Sequence, residues 1–215
     1  MTDKILTVFA PASSGNMSVG FDALGLALAP MDGTLLGDIV ELQPAKGDDW
    51  NLEVSGPFAH ALPDDPEQNI VLGSCRRFQK ELESADTPIR PLHMRLNKRL
   101  PVGRGLGSSA ASVVATLVGL HQYFDRQLSR LTLLDLMAEM EGSISGGVHL
   151  DNIAPSLMGG LRLCVPGSSI QYSLPWPGSW RAVVAWPGTQ LNTREARSVV
   201  PEQIPRSVAV AQGAR

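Results

Sequence analysis

The chain has 215 residues, of which 43% are hydrophobic and 18% charged, and its formal net charge is −3. This composition indicates a soluble globular protein with a sizeable core, in one large domain or two small ones. The small negative charge and the lack of a Lys/Arg run argue against a nucleic-acid partner. The lack of an apolar run of roughly 18 residues argues against a membrane span. MTDKILTVFAPASS lacks the features of a secretory signal, so we expect a cytoplasmic protein.

Hydrophobic periodicity predicts the elements in chain order. Strands are predicted over 4–10, 38–43, 51–55, 92–98, 160–165 and 181–186. Helices are predicted over 69–82, 108–124 and 131–141, with another beginning in 192–200. The small and turn residues of 11–25 predict a loop. Because these elements follow no regular βα rhythm, we expect an α+β fold with a largely antiparallel sheet. The two cysteines, Cys75 and Cys164, lie far apart without metal-like spacing, which favours buried thiols over a disulfide or a metal site.

The stretch PVGRGLGSSAAS, residues 101–112, places three glycines directly before a predicted helix. Glycine permits positive φ and close backbone approach, and a helix N-terminus adds unpaired N–H groups and a favourable dipole. Together they can form a phosphate cradle. The stretch is not a Walker A motif, because no Gly-Lys-Ser/Thr follows. It is not a dinucleotide fingerprint either, because Ser108 stands where the third glycine would be. Taken alone, the three glycines fit equally well a phosphate cradle and a tight turn before a serine-capped helix packed closely on a sheet.

The twelve residues together resemble the nucleotide loop of the GHMP small-molecule kinases. The resemblance implies that the loop wraps the phosphates of ATP and that one serine helps to hold Mg2+, Ser109 or alternatively Ser108. It also implies an adenine contact from Asn69. The side chain of Arg104 could turn outward or touch a phosphate. The ATP-binding residues expected from the resemblance are Asn69, Pro101, Gly103, Arg104, Gly105, Leu106, Gly107, Ser108, Ser109, Ala110 and Ala111.

A second stretch, PASSGNMSVGFDALGLAL, covers residues 11–28. Asp22 lies between apolar neighbours, where a carboxylate wants a partner such as an ammonium group. An Asx turn or cap is the alternative. The whole stretch resembles the N-terminal substrate motif of the homoserine kinases within that family. This resemblance implies that Asn16 and Asp22 contact L-homoserine, with Asp22 receiving its α-ammonium.

A third stretch, EGSISGGVHLDNIAPSLMGG, covers residues 141–160. Glu141 is expected at the C-terminal end of a helix, where a carboxylate opposes the dipole unless it is solvated or holds a cation. The resemblance implies that Glu141 and Ser109 hold Mg2+, and that His149 and Asp151 contact homoserine. Asn152 stands near the region where relatives such as mevalonate kinase have an aspartate base. Because an amide cannot accept a proton in that way, the implied chemistry is positioning and charge stabilisation, and the substrate hydroxyl loses its proton to the transferring phosphate.

A fourth stretch, NTREAR, covers residues 192–197 and has capping-box spacing. Its two arginines oppose the dipole of the helix it would begin, which favours a nearby anion or a solvated face. A very similar stretch occurs in homoserine kinases. This similarity implies that Arg197 binds the substrate carboxylate and that Thr193 lies near the transferring phosphate. The expected catalytic residues are therefore Asn152, Thr193 and Arg197.

The resemblance covers about residues 7–201. It implies a GHMP-kinase-like N-terminal domain over 1–170 and the beginning of a second, ferredoxin-like α+β domain over 171–215. Family members continue with a further small-residue motif that this sequence lacks, so we expect a homoserine kinase cut off inside its second domain. The implied activity is ATP-dependent phosphorylation of the side-chain hydroxyl of L-homoserine. A nucleotide-binding remnant with little activity and a GHMP kinase for another alcohol are the alternatives, and a homodimer stays open.

Overall fold

The computed structural model describes residues 4–18, 20–84, 86, 88–125, 128–145, 147–185, 198–201 and 203–213. The strands are β1 (Leu6–Pro11), β2 (Ser13–Ser14), β3 (Leu24–Ala27), β4 (Gly37–Pro44), β5 (Asn51–Ser55), β6 (Leu92–Asn97), β7 (Leu161–Cys164) and β8 (Gln171–Leu174). The α-helices are α1 (Ile70–Ser84), α2 (Ser108–Tyr123), α3 (Arg130–Ser145), α4 (Ile153–Met158) and α5 (Arg206–Gly213). No helix in these ranges is both long and apolar enough to span a membrane.

The strands form two four-stranded sheets, ordered β1-β4-β6-β5 and β2-β3-β7-β8. Every pairing is antiparallel except that of β5 with β6. The expected α+β fold with a largely antiparallel sheet is therefore confirmed. β8 begins directly after residue 170 and pairs with β7, so residues 171–174 extend the second sheet. The assignment of 171–215 to a second domain stays a prediction.

Helix α2 forms the centre of the core, because its sequence is apolar nearly all round and such a helix is stable only when buried. It packs on β1 and β4 of the first sheet, and α1, α3 and α4 pack around it. Gly119 permits the close approach to the sheet, since a Cβ there would lie 2.6 Å from Leu42 Cδ1. The opposite face of the sheet is charged, with Arg95 between Glu41 and Glu53. The glycine loop thus begins the most deeply buried helix.

Both cysteines are free and buried, as predicted. Burial raises the pKa of the Cys75 thiol far above its ordinary value. Burial also raises the pKa of Cys164, to about 11, although Arg162 opposes the shift. Neither thiol is therefore poised to act as a nucleophile in the folded protein.

Several element boundaries differ from the predictions. The predicted loop 11–25 contains β2 and the beginning of β3. β2 pairs with β3 and β3 pairs with β7, so these short ladders are fixed by pairing and not by local pattern. The prediction of a strand over 181–186 was wrong for residues 181–185, which pair with no described strand. Val183, in the middle of this segment, is 93% exposed. Helix α3 ends at Ser145, four residues later than predicted. Most of the helix predicted in 192–200 falls on residues 186–197, outside the described ranges.

Candidate functional site

A cleft of about 510 Å³ opens at the N-terminal end of α2. The glycine loop, the beginning of α1, the last turns of α3 and the segment before α4 surround it. Residues far apart in the sequence, such as Asn16 and Asn152, therefore line the same cavity. The sequence-predicted site residues that line it are Asn16, Asn69, Gly103, Arg104, Gly105, Leu106, Gly107, Ser108, Ser109, Glu141, His149, Asp151 and Asn152.

The three glycines of the loop all adopt left-handed backbone conformations, with φ of 68° at Gly103, 71° at Gly105 and 61° at Gly107. Gly107 is the N-cap residue of α2. A Cβ added there would collide with Ser13 Oγ, so this position needs glycine for its conformation and for the space around it. A Cβ on Gly105 would meet open space, so its conformation alone favours glycine.

The two serines after the glycines have different surroundings. Ser108 is buried, and its hydroxyl donates to the Leu100 carbonyl at 3.2 Å, which closes the loop. Ser109 Oγ lies in the cleft, 3.4 Å from Glu141 Oε1. Of the remaining predicted ATP-binding residues, three are buried outside the cleft lining: Pro101, Ala110 and Ala111.

Ser109 and Glu141 fit a magnesium site that is completed by a nucleotide. Glu141 is 9% exposed and lies inside α3, one turn before its end, and not at the last residue of the helix as expected. Two neighbouring oxygens supply only part of the six-oxygen shell of Mg2+, which commonly takes phosphate oxygens and waters for the rest. Within the described ranges, no three His, Cys, Asp or Glu side chains form a metal-binding group. An Mg2+ ion at these two oxygens would take the rest of its shell from phosphate oxygens and waters.

A buried ion pair holds the glycine loop from below. Lys98, directly after β6, donates to Asp38 Oδ2 on β4, and both side chains are essentially inaccessible to solvent. Lys98 also donates to the Ser108 carbonyl at 2.7 Å and to Ser112 Oγ at 2.9 Å. The three N–H groups of the ammonium therefore have three acceptors inside the protein. Burial lowers the pKa of Lys98, and the carboxylate of Asp38 opposes that shift.

Asp38 extends this network into the beginning of the loop. Its Oδ1 accepts hydrogen bonds from the backbone N–H groups of Arg99 at 2.9 Å and Leu100 at 3.0 Å. Its Oδ2 accepts another from Ser112 Oγ at 2.7 Å. The network joins β4, the end of β6 and α2. Sequence reasoning missed it, and the only available signal was that Asp38 and Lys98 stand at the ends of predicted strands.

Asn69 presents an unsatisfied donor at the far side of the cleft. Its side chain is buried, and its Oδ1 accepts a hydrogen bond from Val71 N–H at 3.0 Å, which helps to begin α1. Its Nδ2 is buried and has no hydrogen-bond partner among the residues that the structure describes. An unpaired buried amide costs about 1–3 kcal/mol, so a ligand acceptor here would be stabilised by the existing geometry.

The predicted substrate residues form a hydrogen-bonded and charge-paired cluster at the end of the cleft away from Asn69. Asn16 and Asp22 have left-handed φ values of 55° and 57°, and Asn16 Oδ1 accepts the Asp22 N–H at 2.8 Å. Asn16 N–H donates to Asp151 Oδ2 at 3.1 Å. Asp22 Oδ2 lies 3.4 Å from His149 Nδ1. Asp22 borders a smaller adjoining cavity of about 200 Å³, and His149 lines both cavities.

Asn152 is the N-cap residue of α4 and lies between the cluster and the glycine loop. Its Oδ1 accepts a hydrogen bond from Ser13 Oγ at 3.1 Å. Ser13 was not among the predicted site residues. Two predicted residues, Thr193 and Arg197, lie outside the described residues.

Comparison with known proteins identifies the domain. Residues 69–160 match the GHMP kinases N terminal domain. A homoserine kinase from Cytophaga hutchinsonii has 34% identity and a TM-score of 0.79, over 100% of this chain and 65% of that one. A Listeria monocytogenes protein with a provisional assignment as a homoserine kinase has 24% identity and a TM-score of 0.64, over 98% of this chain and 65% of that one.

The fold is also shared with Methanococcus jannaschii mevalonate kinase, at 13% identity and a TM-score of 0.59, over 82% of this chain and 57% of that one. This likeness and that of the Listeria protein concern the fold alone. The chain spans 65% of the length of the Cytophaga hutchinsonii protein and of the Listeria monocytogenes protein. The family match, set within this fold, shows that the chain carries the N-terminal domain of the GHMP kinases.

Proposed function

We propose that this chain forms the ATP and substrate sites of a kinase that phosphorylates the side-chain hydroxyl of L-homoserine. The observation that carries the proposal is the single cleft that joins two chemically different ends. One end has the glycine loop, and the other has the cluster of Asn16, His149 and Asp151. Asn152 lies between them, at the place where a transferring phosphate would meet the acceptor.

The nucleotide end suits ATP. The adenine would receive the unsatisfied Asn69 Nδ2, and the phosphates would lie along the glycine loop at the N-terminus of α2. Ser109 and Glu141 would hold Mg2+, which when bound neutralises charge on the phosphates. Lys98 has its three donors bound internally, so it supports the loop and is not itself a phosphate ligand.

The acceptor end suits an amino acid. The Asp22 carboxylate would receive the α-ammonium group, and His149 and Asp151 would border the rest of the substrate. Arg197 as the partner of the substrate carboxylate, and Thr193 near the phosphate, extend the proposal by resemblance. The 34% identity with a homoserine kinase supports this substrate over the sugar or mevalonate of other family members.

The chemistry proposed at this site needs no protein base. The Asn152 amide cannot take a proton from the substrate hydroxyl as a carboxylate can. Phosphoryl transfer depends chiefly on positioning and charge stabilisation, so the proton can pass to the transferring phosphate itself. The residues of the cleft would bind and orient ATP and the acceptor, and would exclude water.

A coupled assay of ADP release tests the proposal, with Mg-ATP and L-homoserine, galactose, mevalonate or no acceptor. We expect homoserine-dependent release that disappears in Asp22→Ala. Asp32→Ala is the matched control, because Asp32 is an exposed aspartate that accepts a hydrogen bond within its own turn. Release with another acceptor would contradict the substrate. No release from a folded chain that binds ATP would favour nucleotide binding without turnover.

The metal site has a separate test in nucleotide binding. Glu141→Gln removes the charge and keeps the side-chain shape, so we expect a higher Mg2+ concentration to be needed for half-maximal ATP binding. Glu139→Gln is the control on the same helix, because Glu139 is exposed and pairs with Arg77. Equal Mg2+ dependence of the two variants would contradict a metal-binding role for Glu141.

A further inference from the structure

Ser13 lies beneath the cleft, between the glycine loop and Asn152. Its side chain is fully buried, and it does not line the cleft. Its backbone N–H donates to the Leu106 carbonyl at 3.2 Å, and its hydroxyl donates to Asn152 Oδ1 at 3.1 Å. A Cβ on Gly107 would collide with this hydroxyl, so the loop leaves space for it. Ser13 therefore contacts both halves of the site from inside the protein.

The two ends of the Asn152 amide have different neighbours. Oδ1 faces the Ser13 hydroxyl. Nδ2 lies on the other side, where a Cβ on Gly15 would collide with both Nδ2 and Asp151 Oδ2. The reverse orientation would place the amide oxygen toward the Asp151 carboxylate, which is electrostatically unfavourable. The Asp151 carboxylate therefore selects the orientation in which Oδ1 faces Ser13, and the Ser13 hydroxyl, which can donate or accept, holds it by donating to Oδ1.

We propose that Ser13 is a positioning residue that fixes the Asn152 amide with Nδ2 available to the cleft as a hydrogen-bond donor. No group in the described part of the chain accepts a hydrogen bond from Nδ2, and Asn152 lines the cleft. This role rests on the proposed function: Nδ2 would donate to an oxygen of the transferring phosphate or to the oxygen of the acceptor hydroxyl. It would stabilise negative charge during transfer. The acceptor atom of the amide already receives one hydrogen bond, from the Ser13 hydroxyl.

Side-chain amide signals in a 15N-labelled sample of the full chain test the orientation directly. The Asn152 signal is identified by its loss in Asn152→Ala. We expect Ser13→Ala to shift or broaden this signal, because the bond that holds Oδ1 is removed. Ser156→Ala is the matched control, since Ser156 is a buried serine on α4 whose hydroxyl donates to the Pro11 carbonyl at 2.8 Å. An Asn152 signal that responds no more to Ser13→Ala than to Ser156→Ala would overturn the proposal.

The catalytic consequence is measured with a double-mutant cycle. We expect Ser13→Ala to lower kcat about threefold to tenfold, as for one lost hydrogen bond, while the KM for ATP stays within about twofold. In the Asn152→Ala background the same change is expected to have no further effect. Fully additive losses would overturn the action of Ser13 through Asn152. If the wild-type chain shows no homoserine-dependent turnover, the proposed function fails, and the amide signals still decide the orientation.

Discussion

Replacing Lys98 with methionine tests how the glycine loop is supported. Methionine is similar in length and fills much of the same space, so the main change is the loss of the ammonium group. Three hydrogen bonds disappear, to Asp38 Oδ2, the Ser108 carbonyl and Ser112 Oγ. The Asp38 carboxylate would then be buried without its counter-ion.

The structure sets the expected size of the effect. Removing one partner of a buried ion pair costs about 3–5 kcal/mol, because the remaining charge stays desolvated. Asp38 keeps hydrogen bonds from Arg99 N–H, Leu100 N–H and Ser112 Oγ, so we expect the low end, about 3 kcal/mol. For a chain of this length such a loss lowers the Tm by roughly 6–12 °C.

Urea unfolding and thermal melts of the full chain measure the loss of free energy of unfolding. Arg95→Met is the control, because Arg95 pairs with Glu41 and Glu53 on the exposed face of the sheet, where a pair contributes about 1 kcal/mol or less. The double variant Lys98→Met/Asp38→Asn is expected to recover part of the loss, since no unpaired charge remains.

Nucleotide binding gives a second readout of the same variant. We expect Lys98→Met to weaken ATP binding, because the Ser108 carbonyl loses its partner and the loop is less firmly held. A loss of stability no larger than that of Arg95→Met would refute the reasoning. Unchanged ATP affinity in a destabilised variant would show that the network supports the core and not the loop.

Three other predictions concern single side chains. Gly107→Ala and Gly105→Ala each strain a left-handed residue by about 1–2 kcal/mol, but only Gly107→Ala adds a collision with Ser13. Urea unfolding is therefore expected to show a larger loss of the free energy of unfolding for Gly107→Ala. Equal losses for the two variants would contradict this. Because burial raises the pKa of Cys164 to about 11, its thiol ionises first in the unfolded chain. The contribution of this thiol to the free energy of unfolding is therefore complete below about pH 8.5. It falls as the pH rises toward 11, by up to about 1.4 kcal/mol per pH unit. Urea midpoints measured across that range are expected to fall less steeply in Cys164→Ala, and identical slopes would exclude the thiol as a source. Asn69→Ala is expected to weaken ATP binding about tenfold in calorimetry, because a ligand acceptor loses its donor. An unchanged affinity would show that the adenine of ATP lies elsewhere.

Local patterns predicted those parts of the fold that local physics determines. The alternation in β4, β5 and β6 and the apolar run of α2 each reflect one buried face or one buried helix, so their positions were predicted to within a few residues. The short strands β2, β3 and β8 form ladders of only two to four residue pairs, and β3 depends on β7, which is distant in sequence. Four residues carry too little pattern to reveal such a partner.

The candidate site was predictable where it carries a motif and not where it depends on buried contacts. Ser109 and Glu141 were predicted from separate stretches, and the structure brings them within 3.4 Å of each other. Asp38 and Lys98 were missed because charged side chains are rarely buried and each occurs in an ordinary strand pattern. Ser13 was missed because its role depends on the Asn152 amide, 139 residues away.

The contacts of Asp38 determine whether the nucleotide loop can be separated from the rest of the domain. The segment that matches the family, residues 69–160, contains Lys98 and the glycines but not Asp38. Excised from the chain, this segment would leave the Lys98 ammonium without its carboxylate, and Arg99 and Leu100 N–H without their acceptor. The motif is therefore not a transplantable module, and a graft into another scaffold would need the β4 carboxylate as well as the twelve-residue loop.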